Sequence, residues 1–394
     1  MHILFLSRWF PYPVDNGSKI RIYNLLCGLA QCHRVSLISF YDPTRGKPDV
    51  SSMLSVCQDV QVVPRKAYHP DSRRARLGFL STTPRAYVDT FSTAMEQCIA
   101  DTLASAKIDL VIASQIDTAL YVGAFRGTTS IFEEVEIGVI HDQFFNSGSL
   151  PARLRGGLTW VKYNRFLAKL LVDYRACTVV SDRERMILQQ RVRHDIPVEV
   201  IPNCVDLTQY LNVTEKPQPD SLIFTGSLTF RPNYEAICWF LEMVFPQLRA
   251  QIPGVRLVIT GEHANLPLPE REGVFLTGIV EDVRPYLARG WLSIVPLQSG
   301  GGTRFKILES MALRTPVVST TKGAEGLDAQ PGVHLLVADD PQEFASAVLS
   351  ILLAPALRQQ LVEKAFDLVQ ERYNWRTSMP KYLELVAQVT GISG

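Results

Sequence analysis

The sequence has no run of roughly eighteen or more apolar residues, so it offers no candidate for a single membrane-spanning helix. Its apolar N-terminal stretch, MHILFLSRWF, is too short for a signal peptide and has no small-residue cleavage site, which favours a buried first strand. The seven cysteines form no CxxC pair and no Cys/His spacing typical of a metal site. We therefore expect reduced thiols in a cytoplasmic protein that holds no metal.

An excess of charge of one sign is also missing. The chain carries 40 Lys and Arg residues against 39 Asp and Glu residues, a net charge of +1, which argues against a nucleic-acid partner. Low-complexity segments and short repeats are absent as well. What is present is a 394-residue chain with 46% hydrophobic residues, which is enough for two domains of about 200 residues, each with its own core.

Apolar strands alternate with amphipathic helices along both halves of the chain. HILFLS at 2–7 is followed by a loop, a helix and a second strand, VSLISFY, and the same pattern restarts at SLIFTGS, 221–227. This alternation predicts an α/β protein with parallel sheets covered by helices. We expect two Rossmann-like domains, at 1–206 and 220–376, with a polar, proline-containing linker at 207–219.

A glycine-rich turn lies between a strand at Leu292–Pro296 and a helix at about 305–313 in the second half. Its backbone amides and the helix N-terminus behind it form a candidate cradle for a phosphate. Glu309, further along the helix, could accept hydrogen bonds from the paired hydroxyls of a ribose. The alternative is a tight turn before a solvated helix. The turn comprises Gly300, Gly301, Gly302 and Thr303, and two cations, Arg304 and Lys306, follow it.

The N-terminal half offers two weaker candidate sites. Asn16, Gly17 and Ser18 precede the first helix, so their amides could meet a phosphate or a sugar, or could form only a turn and an N-cap. SIFEEVEI, 130–137, reads as a strand that ends in carboxylates. They form a candidate acceptor or sugar site, and the alternative is a set of solvated loop acids. The acceptor-side candidates are Glu134, Glu136 and His141.

The stretch 151–172 is basic and amphipathic, with aromatic residues along its seam. Such a helix could lie on an anionic membrane surface, which would place the protein at the inner face of the membrane. The same pattern also describes a surface helix that packs on a sheet and leaves a basic face in water.

Six motifs in order resemble the retaining GT-B glycosyltransferases of family 4. FPYPVDNGSKIRIYNLLCGLA resembles the glycine loop and first helix of that family, and TVVSDRE…VEVIPNCVDLTQY resembles the segment before its second domain. FTGSL, VITGE, VFLTGIVEDVRPYL and GGGTRFKILESMALRTPVVST follow in the family's order. The resemblance spans about 310 residues and implies two domains that face a cleft, with a closing helix at 377–394 that packs back on the first domain.

The resemblance also assigns roles to particular residues. It implies that Glu309 holds the ribose hydroxyls and that the loop at 302–304 meets the diphosphate of a nucleotide sugar. Gly278 and Ile279 would lie against the base, at the end of a strand of the second domain, and Gly17 would face the phosphate and sugar.

Two positions depart from the family pattern. Gly301 occupies the place of the first motif glutamate, which touches the donor sugar. After the strand that ends at Gly226, Ser227 stands where a basic residue is usual, and Arg231 is the only nearby cation. A subgroup with the same GGGTR–K–LE signature shares these departures. Arg304 and Lys306 would then supply the missing charge.

Taken together, the resemblance implies an enzyme that transfers a sugar from a UDP- or GDP-linked donor to a glycan, lipid-linked or small-molecule acceptor. It implies retention of configuration without a metal or another cofactor. Two alternatives stay open: a catalytically silent homologue that binds a nucleotide sugar, which Gly301 favours, and a nucleotide-sugar epimerase, which also has Rossmann-like halves. The signature around Glu309 suits the transferase better than the epimerase.

Overall fold

A computed structural model describes residues 1–145, 150–193, 195–300 and 304–391. The chain divides into two compact units. The first comprises Met1–Pro202 together with Met379–Gly394, and the second comprises Asn203–Ser378. Each unit has a parallel sheet with helices packed against it, so the predicted α/β fold with two Rossmann-like units is confirmed.

The first unit is built on a seven-stranded parallel sheet in the order β3-β2-β1-β4-β5-β6-β7. Its strands are β1 His2–Ser7, β2 Arg34–Tyr41, β3 Asp59–Pro64, β4 Leu110–Ser114, β5 Ser130–Glu133, β6 Ala176–Val179 and β7 Val198–Val200. Its helices are α1 Gly17–Ala30, α2 Arg73–Leu77, α3 Arg85–Thr90, α4 Thr93–Ser105, α5 Ile116–Ala119, α6 Gly138–Phe145, α7 Leu150–Leu171 and α8 Asp182–Arg191, with short 3₁₀ turns at Pro43–Arg45, Val50–Met53 and Val122–Phe125.

The second unit is built on a six-stranded parallel sheet in the order β10-β9-β8-β11-β12-β13. Its strands are β8 Gln218–Thr225, β9 Arg256–Thr260, β10 Val274–Gly278, β11 Gly290–Val295, β12 Val317–Ser319 and β13 Leu336–Val337. Its helices are α9 Thr208–Leu211, α10 Arg231–Trp239, α11 Phe245–Gln251, α12 Arg284–Arg289, α13 Phe305–Ala312, α14 Thr321–Ala324, α15 Pro341–Leu353 and α16 Pro355–Arg372, with a π-helical turn at Phe240–Val244. The last helix, α17, runs from Trp375 to Thr390.

The sequence explains why these segments become buried parallel strands. β1, β4 and β8 are nearly continuous apolar runs, and their residues Ile3–Leu6, Leu110–Ala113 and Leu222–Phe224 are almost fully buried. Strands covered by helices on both faces show this pattern because neither face meets water. Both strand orders reverse direction beside the first strand of the unit, between β1 and β4 and between β8 and β11. Ligands of open α/β sheets bind at the carboxyl ends of strands at such a reversal.

Two of the predicted boundaries are wrong. The predicted linker, 207–219, is part of the second unit, because Leu207 and Tyr210 are buried in its core and β8 already begins at Gln218. The predicted strand at 130–137 ends at Glu133, because Glu134 adopts a left-handed conformation with φ of 59° that a strand cannot continue.

Among the described residues, no single helix is long and apolar enough to cross a membrane. The pair α15 and α16 reaches the required length and composition only when taken together across a bend of 100°. Both helices contribute buried side chains to the cores of the second unit, including Phe344 and Val369.

Candidate functional site

The carboxyl ends of β8 and β11 gather most of the predicted donor residues of the second unit. Gly226 and Ser227 follow β8 directly, and Gly300 lies in the loop between β11 and α13. This is the reversal point of the six-stranded sheet. Gly301, Gly302 and Thr303, which the sequence also predicts in this turn, lie outside the described residues.

Gly226 brings the backbone after β8 close to the side chains that surround it. Its φ is 134°, and a Cβ placed on it would come within 2.7 Å of Asn233 Nδ2 and 3.1 Å of Lys306 Nζ. Only glycine satisfies both the backbone conformation and the space here. The first strand of the unit therefore ends in a turn whose backbone is approached closely by the side chains of Asn233 and Lys306.

Lys306 is held in the first turn of α13 by contacts from two other elements. Its Nζ donates a hydrogen bond to Asn233 Oδ1 at 3.0 Å and lies 4.4 Å from the centre of the Phe224 ring on β8. The Asn233 amide in turn donates to the carbonyl of Ser227 at 2.8 Å. Burial lowers the pKa of Lys306 to about 7, and the charge of Arg304 acts in the same direction. An anion beside Nζ would therefore favour the ammonium form.

Arg304 immediately precedes α13 and is only 6% exposed. Its Nη2 donates hydrogen bonds to the carbonyls of Gly300 at 2.9 Å and Lys322 at 3.4 Å, so the guanidinium ties the loop after β11 to α14. Burial lowers its pKa, but an arginine stays protonated over the physiological range. A fixed positive charge therefore lies at the start of α13, where the helix dipole already favours anions.

Glu309 lies one turn further along α13, and its partner comes from an element that the sequence analysis did not predict. The hydroxyl of Tyr210, on α9, donates to Glu309 Oε1 at 3.1 Å. Burial raises the pKa of Glu309 to about 7, against the effects of the Tyr210 hydrogen bond and of the Lys306 charge. Arg284 lies over the Tyr210 ring, with 5.9 Å between Cζ and the ring centre, and donates to the carbonyl of Gln209 at 2.7 Å.

Arg231 and the predicted base-binding residues lie at the margin of this cluster. Arg231 has an 85% exposed side chain and pairs with Glu235 on its own helix at 2.6 Å, while Ser299 contacts the same carboxylate at 3.4 Å. Gly278 ends β10 with a φ of 71°, and the following Ile279 is 77% exposed.

Three residues of this cluster were missed by sequence reasoning. They are Asn233, Tyr210 and Arg284, which fix the positions of Lys306 and Glu309. Asn233 is a polar residue in the first turn of a helix, and nothing in its spacing indicates a contact with Lys306. Tyr210 lies in the segment predicted as a linker, where its distance from Glu309 in the sequence conceals the contact.

Two of the predicted acids of the first unit, Glu133 and Glu134, are buried and are not solvated loop acids. Glu133 is fully buried and paired with the fully buried Arg21, with 2.6 Å between Oε1 and Nη2. Glu134 is 5% exposed and accepts a hydrogen bond from Gln115 Nε2 at 3.0 Å. Burial raises the pKa of Glu134 well above its usual range, against the charge of Arg21. The surroundings of Glu134 at the end of β5 therefore favour its uncharged form more than water does.

The other predicted residues of the first unit make different contacts. Glu136 is exposed, and His141, on α6, pairs with Asp142 at 3.2 Å and meets the Trp160 ring edge-on at 5.4 Å. Asn16 is the N-cap of α1 and accepts a hydrogen bond from the amide of Lys19 at 3.1 Å. Gly17 and Ser18 form the first turn of α1.

The family-model match to known proteins lies in the second unit. A family model described as "Glycosyl transferases group 1" matches residues 219–353, which include the whole cluster described above except Tyr210. A Klebsiella pneumoniae protein described as the "uncharacterized 44.6 kDa protein in cps region" is 25% identical over 165 residues, which are 39% of this chain. The match spans 42% of that protein's length.

Solved structures resemble the entire chain. The sucrose-phosphate synthase of Thermosynechococcus elongatus superposes with a TM-score of 0.74 at 17% identity, with both chains covered in full. HepE of Anabaena, in complex with UDP and glucose, has a TM-score of 0.67 at 15% identity and covers 98% of this chain and 100% of its own. These neighbours show the GT-B fold, and the family match supports a glycosyltransferase.

Proposed function

We propose that this protein is a glycosyltransferase that moves a sugar from a nucleotide-diphosphate sugar to an acceptor hydroxyl. The observation that carries the proposal is the grouping of Arg304, Lys306 and Glu309 on one helix start, at the reversal point of the second sheet. Two cations and a helix N-terminus can bind the negative charge of a diphosphate. A carboxylate one turn away can accept hydrogen bonds from the hydroxyls of a ribose.

Departure of the diphosphate is the difficult step of such a transfer. Negative charge develops on the leaving group as the bond between its oxygen and the anomeric carbon breaks, so groups that already point at the phosphates give the main stabilisation. Lys306 is suited to this role because Asn233 and Phe224 fix the position of its Nζ before the donor arrives, and the diphosphate would favour the ammonium form. We propose that Lys306, Arg304 and the loop amides act in place of a metal ion, with Arg231 as a further cation at the rim.

We further propose that the reaction retains the configuration of the sugar. The acceptor oxygen would then form its bond to the anomeric carbon on the face from which the diphosphate leaves. The acceptor proton would pass to an oxygen of the departing diphosphate, so that no protein nucleophile is required. The support for retention is the motif resemblance around Glu309. The acceptor would be a glycan, a lipid-linked sugar or a small molecule.

We propose UDP as the first nucleotide to test. HepE of Anabaena, which shares the fold over nearly the whole chain, has been solved with UDP and with UDP-glucose. The base would lie against Gly278 and the exposed Ile279, at the end of β10. GDP remains the second candidate, and discrimination between the two bases would depend on a few contacts worth roughly 1–3 kcal/mol each.

The first test is nucleotide binding by isothermal titration with UDP, GDP and ADP. We expect one nucleotide to bind and Glu309→Ala and Lys306→Met each to weaken it about 10- to 100-fold, because each removes a charged hydrogen-bonding partner worth roughly 1.5–3 kcal/mol. Glu371→Ala and Lys364→Met, on the exposed face of α16, are matched controls that should leave affinity unchanged. Failure of all three nucleotides to bind the folded protein would contradict the proposal.

Turnover separates a transferase from a silent homologue and from an epimerase. We expect release of UDP from the preferred UDP-sugar, faster with acceptor present, and equal rates with and without EDTA. We expect NMR to show that the sugar has the same anomeric configuration in the product as in the donor. Binding without any release of UDP would favour the silent homologue, and conversion of the donor sugar with the nucleotide still attached would favour the epimerase.

A further inference from the structure

The structure assigns a second role to the first unit: we propose that it carries a surface that binds anionic lipid bilayers. The surface consists of segment 72–88, which includes α2, and of the exposed stripe of α7. We refer to it as the basic apolar surface. The proposal does not depend on the glycosyltransferase activity, since no residue of this surface belongs to the nucleotide-binding cluster of the second unit.

The two segments contain no acidic residue. Residues 72–88 hold four arginines and residues 150–172 hold five basic residues, whereas the entire chain carries 40 basic and 39 acidic residues. The acids that flank the first segment are Asp71 and Asp89, and Asp89 is buried with hydrogen bonds from Ser72, the His69 amide and Lys66. Its charge is therefore directed into the protein and not toward the surface.

Large apolar side chains protrude between these charges. Leu80 is 91% exposed and Leu158 is 77% exposed, and both stand out from the buried side chains around them. Leu77, Phe79 and Val161 are exposed as well. On α7 the exposed positions Leu158, Val161, Arg165 and Lys169 follow a helical repeat, so they share one face. Several large apolar side chains exposed on two connected segments are typical of an interaction surface.

Contacts between the two segments make them one surface. Lys162, on α7, donates a hydrogen bond to the carbonyl of Gly78 at 2.6 Å. Tyr87, on α3, stacks on Phe166 of α7 with 5.9 Å between ring centres. Arg85 covers one face of the Phe79 ring at 4.6 Å, which holds the turn after α2 in place. The protruding Leu80 therefore stands on a turn that is attached to the middle of α7.

The chemistry of this surface fits an anionic bilayer better than a protein or nucleic-acid partner. Isolated leucine and phenylalanine side chains can enter the acyl boundary while arginines remain among the headgroups. Within the two segments the charge has a single sign, which favours attraction to acidic headgroups.

Vesicle flotation with the full chain tests the proposal. We expect the protein to float with vesicles of phosphatidylcholine and phosphatidylglycerol, to stay unbound with phosphatidylcholine alone, and to be released by high salt. Arg73→Gln with Arg74→Gln should weaken partitioning roughly fivefold per arginine. Leu80→Asp should weaken it at least about tenfold, because it removes an inserted apolar group and adds a repelled charge.

Matched control variants test whether any substitution of an exposed charge or an exposed leucine weakens vesicle binding. Leu353→Asp alters another exposed leucine, and Lys364→Gln with Lys381→Gln removes two exposed charges elsewhere, so both should bind vesicles like the wild type. Thermal melts would verify that every variant is folded. The proposal is overturned if the wild type ignores anionic vesicles, as it would if the surface served a protein partner. Equal losses in the control and surface variants would also overturn it.

Discussion

Lys306 and Glu309 are two ionisable side chains on one helix, and their pKa values are shifted in opposite directions toward 7. Burial lowers the pKa of Lys306 to about 7 and raises that of Glu309 to about 7. Each shift means that the empty protein stabilises the uncharged form relative to water. Groups perturbed in this way occur at functional sites more often than elsewhere, because a ligand supplies the missing interaction.

The pH dependence of donor binding follows from these two groups. Diphosphate binding favours the Lys306 ammonium, so affinity should fall as pH rises above about 7 and the free protein loses that proton. Two ribose hydroxyls favour the Glu309 carboxylate, so affinity should fall as pH drops below about 7. We expect a bell-shaped profile centred near neutrality, with each limb approaching a tenfold change per pH unit.

Isothermal titration with a UDP-sugar from pH 5.5 to 9 measures this profile, because the diphosphate diester keeps its charge over that range. Lys306→Met should flatten the alkaline limb, and Glu309→Gln should flatten the acidic limb. The control Lys364→Met should preserve both limbs. An affinity that changes in one direction only across neutrality would show that one of the two groups does not take part.

At the scale of single elements, strands β8 and β11 and helix α13 could be predicted from the sequence because their signals are local. A buried apolar run, a glycine turn and an amphipathic helix occur in direct succession, and the observed ends of α13 lie within one residue of the predicted ones. The candidate site residues on these elements could be inferred from the same signals, because the carboxyl ends of adjacent parallel strands meet at one edge of the sheet.

Helix α9 could not be predicted in the same way. It has four residues, which is too short for a helical repeat to be visible, and the polar stretch around it is typical of a linker. What fixes it is tertiary packing, since Tyr210 is buried among residues that follow it by about 100 positions. The same reason explains Glu134, whose left-handed backbone depends on the buried hydrogen bonds after β5 and not on local propensity.

The role of α9 leads to a prediction for Tyr210→Phe. The substitution keeps the ring and removes the hydrogen bond to Glu309, so we expect UDP affinity at pH 7 to fall about three- to tenfold, for a loss of roughly 1 kcal/mol. The pKa of Glu309 should rise further, because the bond from Tyr210 favours the carboxylate. The acidic limb of the binding profile should therefore move to higher pH.

Titration of the variant over the same pH range measures both effects. Tyr286→Phe, on α12, is the matched control and should leave affinity and profile unchanged. A Tyr210→Phe protein with weaker binding but an unshifted acidic limb would mean that Tyr210 supports the site only by packing.

At the scale of the whole molecule, the chain passes through the second unit and returns to the first. Met379–Gly394 belongs to the first unit, although 176 residues of the second unit, Asn203–Ser378, precede it. Met379 lies against Gly28, where even a Cβ would come within 2.2 Å of its side chain, and Tyr382 is fully buried. The stability of the first unit therefore depends on the last helix of the chain.

Tyr382→Ala tests this dependence. Removal of a fully buried aromatic side chain should destabilise the first unit by about 3–5 kcal/mol, because the cavity cannot close completely. Hydrogen exchange should then accelerate in α1 and β1, while β8 and β11 of the second unit keep their protection. Lys381→Ala, one residue earlier and exposed, should change neither unit. Faster exchange in the second unit, or equal effects of the two substitutions, would show that the closing helix does not serve the first unit in this way.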